Sequence, residues 1–215
     1  MVESIEIDLI LEDTEASAVL DKVHSHTSDI DGYLVEWYPN EKKRIYISHR
    51  LNDQSFGLSV TANEDDDPEW YTLPSRSAIG LQVQTEDLSG YNATDERVSM
   101  LLNIVETVYT ASDDYIYGYG LDTEHVGSIG ENWGPDKPVT NESIANNRIA
   151  DVSWLMLFAP ELVDEYGREW LLSAPTWKHQ EFDDGGIMLV ASPDPTDYDT
   201  FTEGREYLRE YFDFR

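Results

Sequence analysis

Apolar and polar residues alternate in "SIEIDLIL", residues 4–11, with Ile5, Ile7 and Leu9 set against Glu6 and Asp8. A period of two predicts a strand with one buried face. Residues 13–26 change period: Ala16, Val19, Leu20 and Val23 fall on one helical face, with Thr14 placed as the N-cap. "GYLVEWYP", "RIYISHR" and "FGLSVTA" return to strand patterning with polar turns between them, and "GLQVQTED" adds another strand. The clearest helix spans residues 94–111, where Val98, Leu101, Leu102, Val105, Val108 and Tyr109 follow the 3.6-residue period. Beyond it, "DYIYGYGLD", "DVSWLMLFA", "TWKHQEF" and "GIMLVAS" read as strands. "PELVDEYGREWLL" reads as one helix started by Pro160, and residues 200–212 as a closing helix. Residues 63–80 form a loop, and residues 123–150 a long Gly/Pro-bearing one with a short helix near 141–149.

Short strand meanders separated by amphipathic helices predict an α+β fold, with mainly antiparallel sheet and the helices packed on one side. The 215 residues fit one domain, built either as a unit or as two closely packed halves, 1–91 and 92–215.

Charge changes this picture more than any motif does. Forty-four acidic residues oppose fourteen basic ones, a formal charge of −30. Disorder does not follow, because 40% of the chain is hydrophobic and the apolar positions are periodic. A high-salt cytoplasm explains the charge better, since at molar ionic strength the Debye length falls to about 3 Å and self-repulsion is screened. Nucleic acid is disfavoured as a partner, and so is an anionic membrane, because both are bound through Lys and Arg. The absence of Cys rules out disulfides and thiolate chemistry. The first residues do not pattern as a signal peptide, so the expectation is a soluble cytoplasmic protein.

Candidate chemistry is sparse. "HSHTSDIDG" places His24, His26, Asp29 and Asp31 close together, and its H-x-H spacing resembles the first metal motif of the polymerase-and-histidinol-phosphatase phosphoesterases. Such sites need His and carboxylates converging from several strand ends. Here the motif falls at the end of a predicted helix, where His suits the dipole and Asp-Gly suits a turn. "NEDDDPEW", with Asp65, Asp66 and Asp67, lacks the D-x-D-x-D-G spacing of a calcium loop. The Gly-rich stretches "YGYGLD" and "GSIGENWG" lack both phosphate-loop fingerprints. No G-x-S-x-G elbow is present. No catalytic residue, cofactor or metal is therefore assigned.

"EFDDGGIMLVASPDPTDYD", residues 181–199, reads as the turn and second strand of a hairpin followed by an acidic helix start. Taken with "DVSWLMLFAPELVDEYG", it resembles the C-terminal part of immunity-protein families of bacterial toxin systems. These include families paired with type VI secretion effectors and with polymorphic nuclease toxins. Trp154, Gly167, Gly185, Gly186 and the run Ile187 to Val190 carry the resemblance, over residues 151–212. The extreme acidity and the segment 123–138 depart from the families' pattern. The resemblance implies a non-enzymatic protein that occludes a toxin-like protein partner. Loop aromatics Trp70 and Trp133 and the acids Asp65, Asp66 and Asp67 are the contact residues expected on that reading. The alternatives from other classes are a metal-dependent hydrolase at His24, His26, Asp29 and Asp31, and a structural or viral accessory protein.

Overall fold

A computed structural model describes residues 4–12, 14–39, 42–51, 54–63, 77–88, 94–122 and 152–212. Nine strands form one antiparallel sheet among these residues: β1 (Ser4–Leu11), β2 (Tyr33–Trp37), β3 (Arg44–Leu51), β4 (Gln54–Asn63), β5 (Ala78–Gln84), β6 (Tyr115–Asp122), β7 (Leu155–Phe158), β8 (Lys178–Glu181) and β9 (Ile187–Val190). Their order is β2-β3-β4-β5-β1-β6-β7-β9-β8. β1 lies at the centre, paired to β5 and β6, so strands from both sides of residue 92 belong to the same sheet. Six helices accompany them: α1 (Ala16–Ser28), α2 (Thr85–Leu88), α3 (Thr94–Thr110), α4 (Pro160–Tyr166), α5 (Arg168–Leu172) and α6 (Tyr198–Phe212). The architecture is α+β, as the periodicities predict.

Strand alternation sorts the core into two layers. Ile5, Ile7 and Leu9 of β1, Ile45 and Ile47 of β3, and Leu58 and Val60 of β4 face α1 and α3. The alternate positions build a second cluster from Ile10, Met156, Phe158, Ile187 and Leu189, closed by Leu162, Leu171 and Leu208 of the C-terminal helices. Helices therefore cover one face along the first half of the sheet and the opposite face at the β6–β9 end, which corrects the expectation of helices on one side. β7 and β9 are apolar on both faces and need cover on each. The change of layer within β6 has a local cause. The register shifts between Ile10 and Leu11, which pair with Tyr117 and Tyr115, so these tyrosines join different clusters.

Three local readings are corrected. Thr14 does not cap α1; its hydroxyl bonds to Asp114, and the N-cap is Glu15 without a side-chain bond. "PELVDEYGREWLL" is two helices, because Gly167 breaks it at φ +93°. "TED", read as the end of a strand, opens α2. The hairpin between "TWKHQEF" and "GIMLVAS" is present, with β8 paired to β9, but only Gly185 of its two glycines takes positive φ.

Candidate functional site

The acids and aromatics proposed for contact, Trp70, Trp133, Asp65, Asp66 and Asp67, lie outside the described residues. The histidine motif lies within them. His24 and His26 belong to the last turns of α1, and Asp29 is its C-cap, its N–H bonded to the carbonyls of His26 and Thr27. Thr27 and Ser28 turn their hydroxyls back onto the carbonyls of Val23 and His24, which closes the helix end. Asp31 precedes Gly32 at φ +90°, and the Tyr33 N–H returns to the Ile30 carbonyl. This is the helix terminus and Asp-Gly turn that the spacing suggested. The His24 ring stacks on Trp37 of β2, with centroids 4.9 Å apart. Among the described residues no three His, Cys, Asp or Glu side chains gather as a metal-binding group.

The feature that sequence reasoning missed is the outer edge of the sheet. β2 is the terminal strand, and Leu34 is 57% exposed and Trp37 37%. Tyr46 on the neighbouring strand is 38% exposed. It stands opposite Glu36 and lies across Gly57, where a Cβ would come within 2.1 Å of its hydroxyl. Leu34 and Tyr46 share one face of the sheet as a diagonal pair, whereas Trp37 points to the other. The hairpin that joins β2 to β3 carries Lys42 and Lys43, both exposed, and Arg44. Arg44 donates from Nε to Thr61 Oγ1 at 3.0 Å and lies over the Tyr38 ring. The available signal was a short strand with apolar residues at consecutive positions 33–35, placed before the one run of basic residues in the chain.

A polar layer occupies the sheet face opposite α1 and α3, where β5, β1 and β6 meet. Gln82 donates to Glu6 Oε1 at 2.9 Å and to Ser4 Oγ at 3.2 Å. The Tyr119 hydroxyl bonds to Asp8; burial first, and the Asp8 charge next, hold its pKa well above the ordinary tyrosine value. Asp8 and Asn63 converge over Gly80, where a Cβ would lie 3.1 Å from Asp8 Oδ1 and 2.9 Å from Asn63 Nδ2. These bonds tie the two acids into the sheet.

Electrostatics of the surface are one-sided. Asp21 of α1, Glu96 of α3, Asp164 and Glu165 of α4, and Glu203, Glu206 and Glu210 of α6 are all exposed. Helix faces away from the core thus carry carboxylates on both sides of the sheet. No helix among the described residues is long and apolar enough to cross a membrane. The chain matches no protein-family model and no curated protein.

Proposed function

We propose that the protein is a non-enzymatic, immunity-like binding protein of a salt-adapted cell, which blocks a partner protein by steric and electrostatic occlusion. The observation that carries this reading is the set of exposed carboxylates on α3, α4 and α6, with Asp95, Glu96, Glu161, Asp164, Glu165, Glu203, Glu206 and Glu210. Together with a net charge of −30, it gives a negative field over the molecule. Such a field draws in a basic partner and fixes its orientation more than it adds affinity. A basic enzyme that works on nucleic acid is the partner chemistry this surface suits, because such an enzyme presents Lys and Arg to a polyanion.

Co-expression with the protein encoded beside it is the test. The expected result is a stoichiometric complex and loss of that protein's toxicity to the host. A neighbour that neither binds nor is neutralised would sink the reading. Metal analysis after purification in high salt checks the rival class: stoichiometric metal, lost in His24→Ala and His26→Ala, would replace the binding protein with a metal-dependent hydrolase.

A further inference from the structure

We propose that the edge strand β2 pairs antiparallel with β2 of a second copy of this chain, joining two nine-stranded sheets into one. Backbone geometry supplies the first argument. The Tyr38 N–H donates to the Arg44 carbonyl at 3.1 Å, which makes 38 and 44 a hydrogen-bonded pair. Antiparallel alternation then turns the Glu36 and Leu34 backbone groups toward β3, and those of Val35 and Trp37 outward. Among the described residues no strand lies beyond β2. An unpaired edge, even one of five residues, presents free backbone groups that invite another strand unless it is blunted by charge, Pro or a bulge. Between Tyr33 and Trp37 the only charge is Glu36.

Charge placement selects the occupant. Residues 42–44, Lys-Lys-Arg, are the one place in 215 residues where basic side chains are adjacent. Lys42 and Lys43 are exposed and, among the described residues, in no ion pair. At the opposite end of β2 stand Asp29 and Asp31, both exposed. The edge is thus negative where β2 begins and positive just past its end. An antiparallel two-fold about Val35 matches these ends: Lys42 and Lys43 of one copy approach Asp29 and Asp31 of the other, twice. In that register Val35 meets Val35, Trp37 meets Tyr33, and Leu34 meets Glu36. The interface is isologous, as a two-fold dimer requires. A partner with a uniformly acidic or basic edge would leave one end of β2 facing like charge.

The total charge opposes this pairing in dilute buffer, since each copy carries −30. With a Debye length of about 10 Å at 0.1 M and about 3 Å at 1 M, salt removes that distant repulsion while the contacting ends still touch. The dimer should therefore strengthen with salt, unlike an ordinary surface ion pair.

Light scattering on the eluting full chain, between 0.05 and 2 M KCl, reads this directly. The expected mass is twice 24.6 kDa at high salt and falls toward 24.6 kDa at low salt. Lys42→Glu with Lys43→Glu should weaken dimerisation at least tenfold, and adding Asp29→Lys and Asp31→Lys should restore it. Circular dichroism on each variant confirms that it is folded. Because the chain has no Cys, mixing a Leu34→Cys chain with a Glu36→Cys chain under mild oxidation should give a disulfide-linked heterodimer. A monomer at every salt concentration overturns the proposal. So does a dimer indifferent to Lys42→Glu with Lys43→Glu, or one not rescued by the charge swap, or a hairpin occupied only by a different protein. None of these outcomes bears on toxin neutralisation, which is read separately.

Discussion

At the residue scale, the "DDGG" turn is a docking point. The Tyr109 hydroxyl, on α3, donates to Asp184 Oδ2 at 2.6 Å, while Asp184 Oδ1 accepts the Gly186 N–H at 2.8 Å. The Tyr109 ring packs against Phe182 with centroids 4.6 Å apart, and a Cβ on Gly186 would fall 2.3 Å from the Tyr109 hydroxyl. Gly185 is needed for its φ of +95°; Gly186 is needed for the space beside Tyr109. Tyr109→Phe should lower stability by about 1.5–3 kcal/mol, the typical worth of a hydrogen bond to a charged acceptor. Gly186→Ala should cost at least as much, since it displaces the same hydroxyl; urea midpoints measure both. Burial, then the hydrogen bond and charge of Asp184, raise the Tyr109 pKa above its ordinary value of 10.0. A raised acid pKa means the folded state holds its proton longer than the unfolded one. The stabilisation is therefore complete below pH 10 and is lost as pH rises beyond it. Burial raises Tyr115 and Tyr119 in the same direction. The urea midpoint should fall above pH 10, and less steeply in Tyr109→Phe. A midpoint that stays flat to pH 11 would refute this. The turn was legible in the sequence because Gly and Asp act locally. Its partner was not, because Tyr109 lies 75 residues away and read only as a core position on a helix.

At the element scale, period gave the strands and helices, and single residues set where they stop. β1 was legible because Ile5, Ile7 and Leu9 alternate with Glu6 and Asp8; the run Leu9 to Leu11, buried throughout, ends the alternation where the register with β6 shifts. The helix from Pro160 was not, because the spacing of Leu162, Tyr166 and Trp170 continues through Gly167 as though the chain did. The break is conformational: Gly167 takes φ +93°, ψ +117°, which L side chains avoid. A Cβ there would meet only the Trp170 Cβ at 3.9 Å, so substitution strains the backbone without crowding neighbours. Gly167→Ala should thus cost about 1–3 kcal/mol, the range for a forced backbone conformation. The loss belongs to the α4–α5 corner, where Tyr166 stacks on Trp170 at 5.8 Å and Trp170 on Tyr211 of α6 at 5.4 Å. Hydrogen exchange should therefore speed in α4 to α6 before it does in β1. Uniform loss of protection across the sheet would count against a local corner. The candidate surface was less legible than these elements. "GYLVEWYP" has the composition of a buried strand, and whether a strand lies at the centre or the edge depends on pairings between distant segments. No pattern within eight residues records that Leu34 faces solvent.

At the scale of the whole molecule, a folded core and a charge of −30 must coexist. The core is extensive: both faces of the sheet bury aliphatic and aromatic side chains where helices cover them. Against it stands mutual repulsion of carboxylates on the outer faces of α3, α4 and α6, which folding brings closer together than the unfolded chain does. Few cations offset it locally. Among the described residues Lys22 meets Asp114 at 3.2 Å, and Arg168 forks onto both carboxylate oxygens of Glu181 while also meeting Glu169 at 2.9 Å; these pairs lie at the surface, where one contributes about 0–1 kcal/mol. The repulsive term must then be relieved by mobile ions, and its relief sets the shape of the salt response. Screening acts steeply up to a few tenths molar, as the Debye length drops from about 30 Å at 0.01 M to about 10 Å at 0.1 M, and changes little beyond 1 M. Strengthened burial of apolar surface by excluded salts keeps growing with concentration instead. The urea midpoint should accordingly climb between 0.01 and 0.5 M KCl, then flatten. Potassium sulfate at equal ionic strength should match KCl in the steep region and exceed it only above 1 M. Coincident curves below 0.5 M identify charge screening as the cause. A midpoint indifferent to KCl in that range would mean that the carboxylates lie too far apart to oppose folding, and that the acidity serves recognition alone.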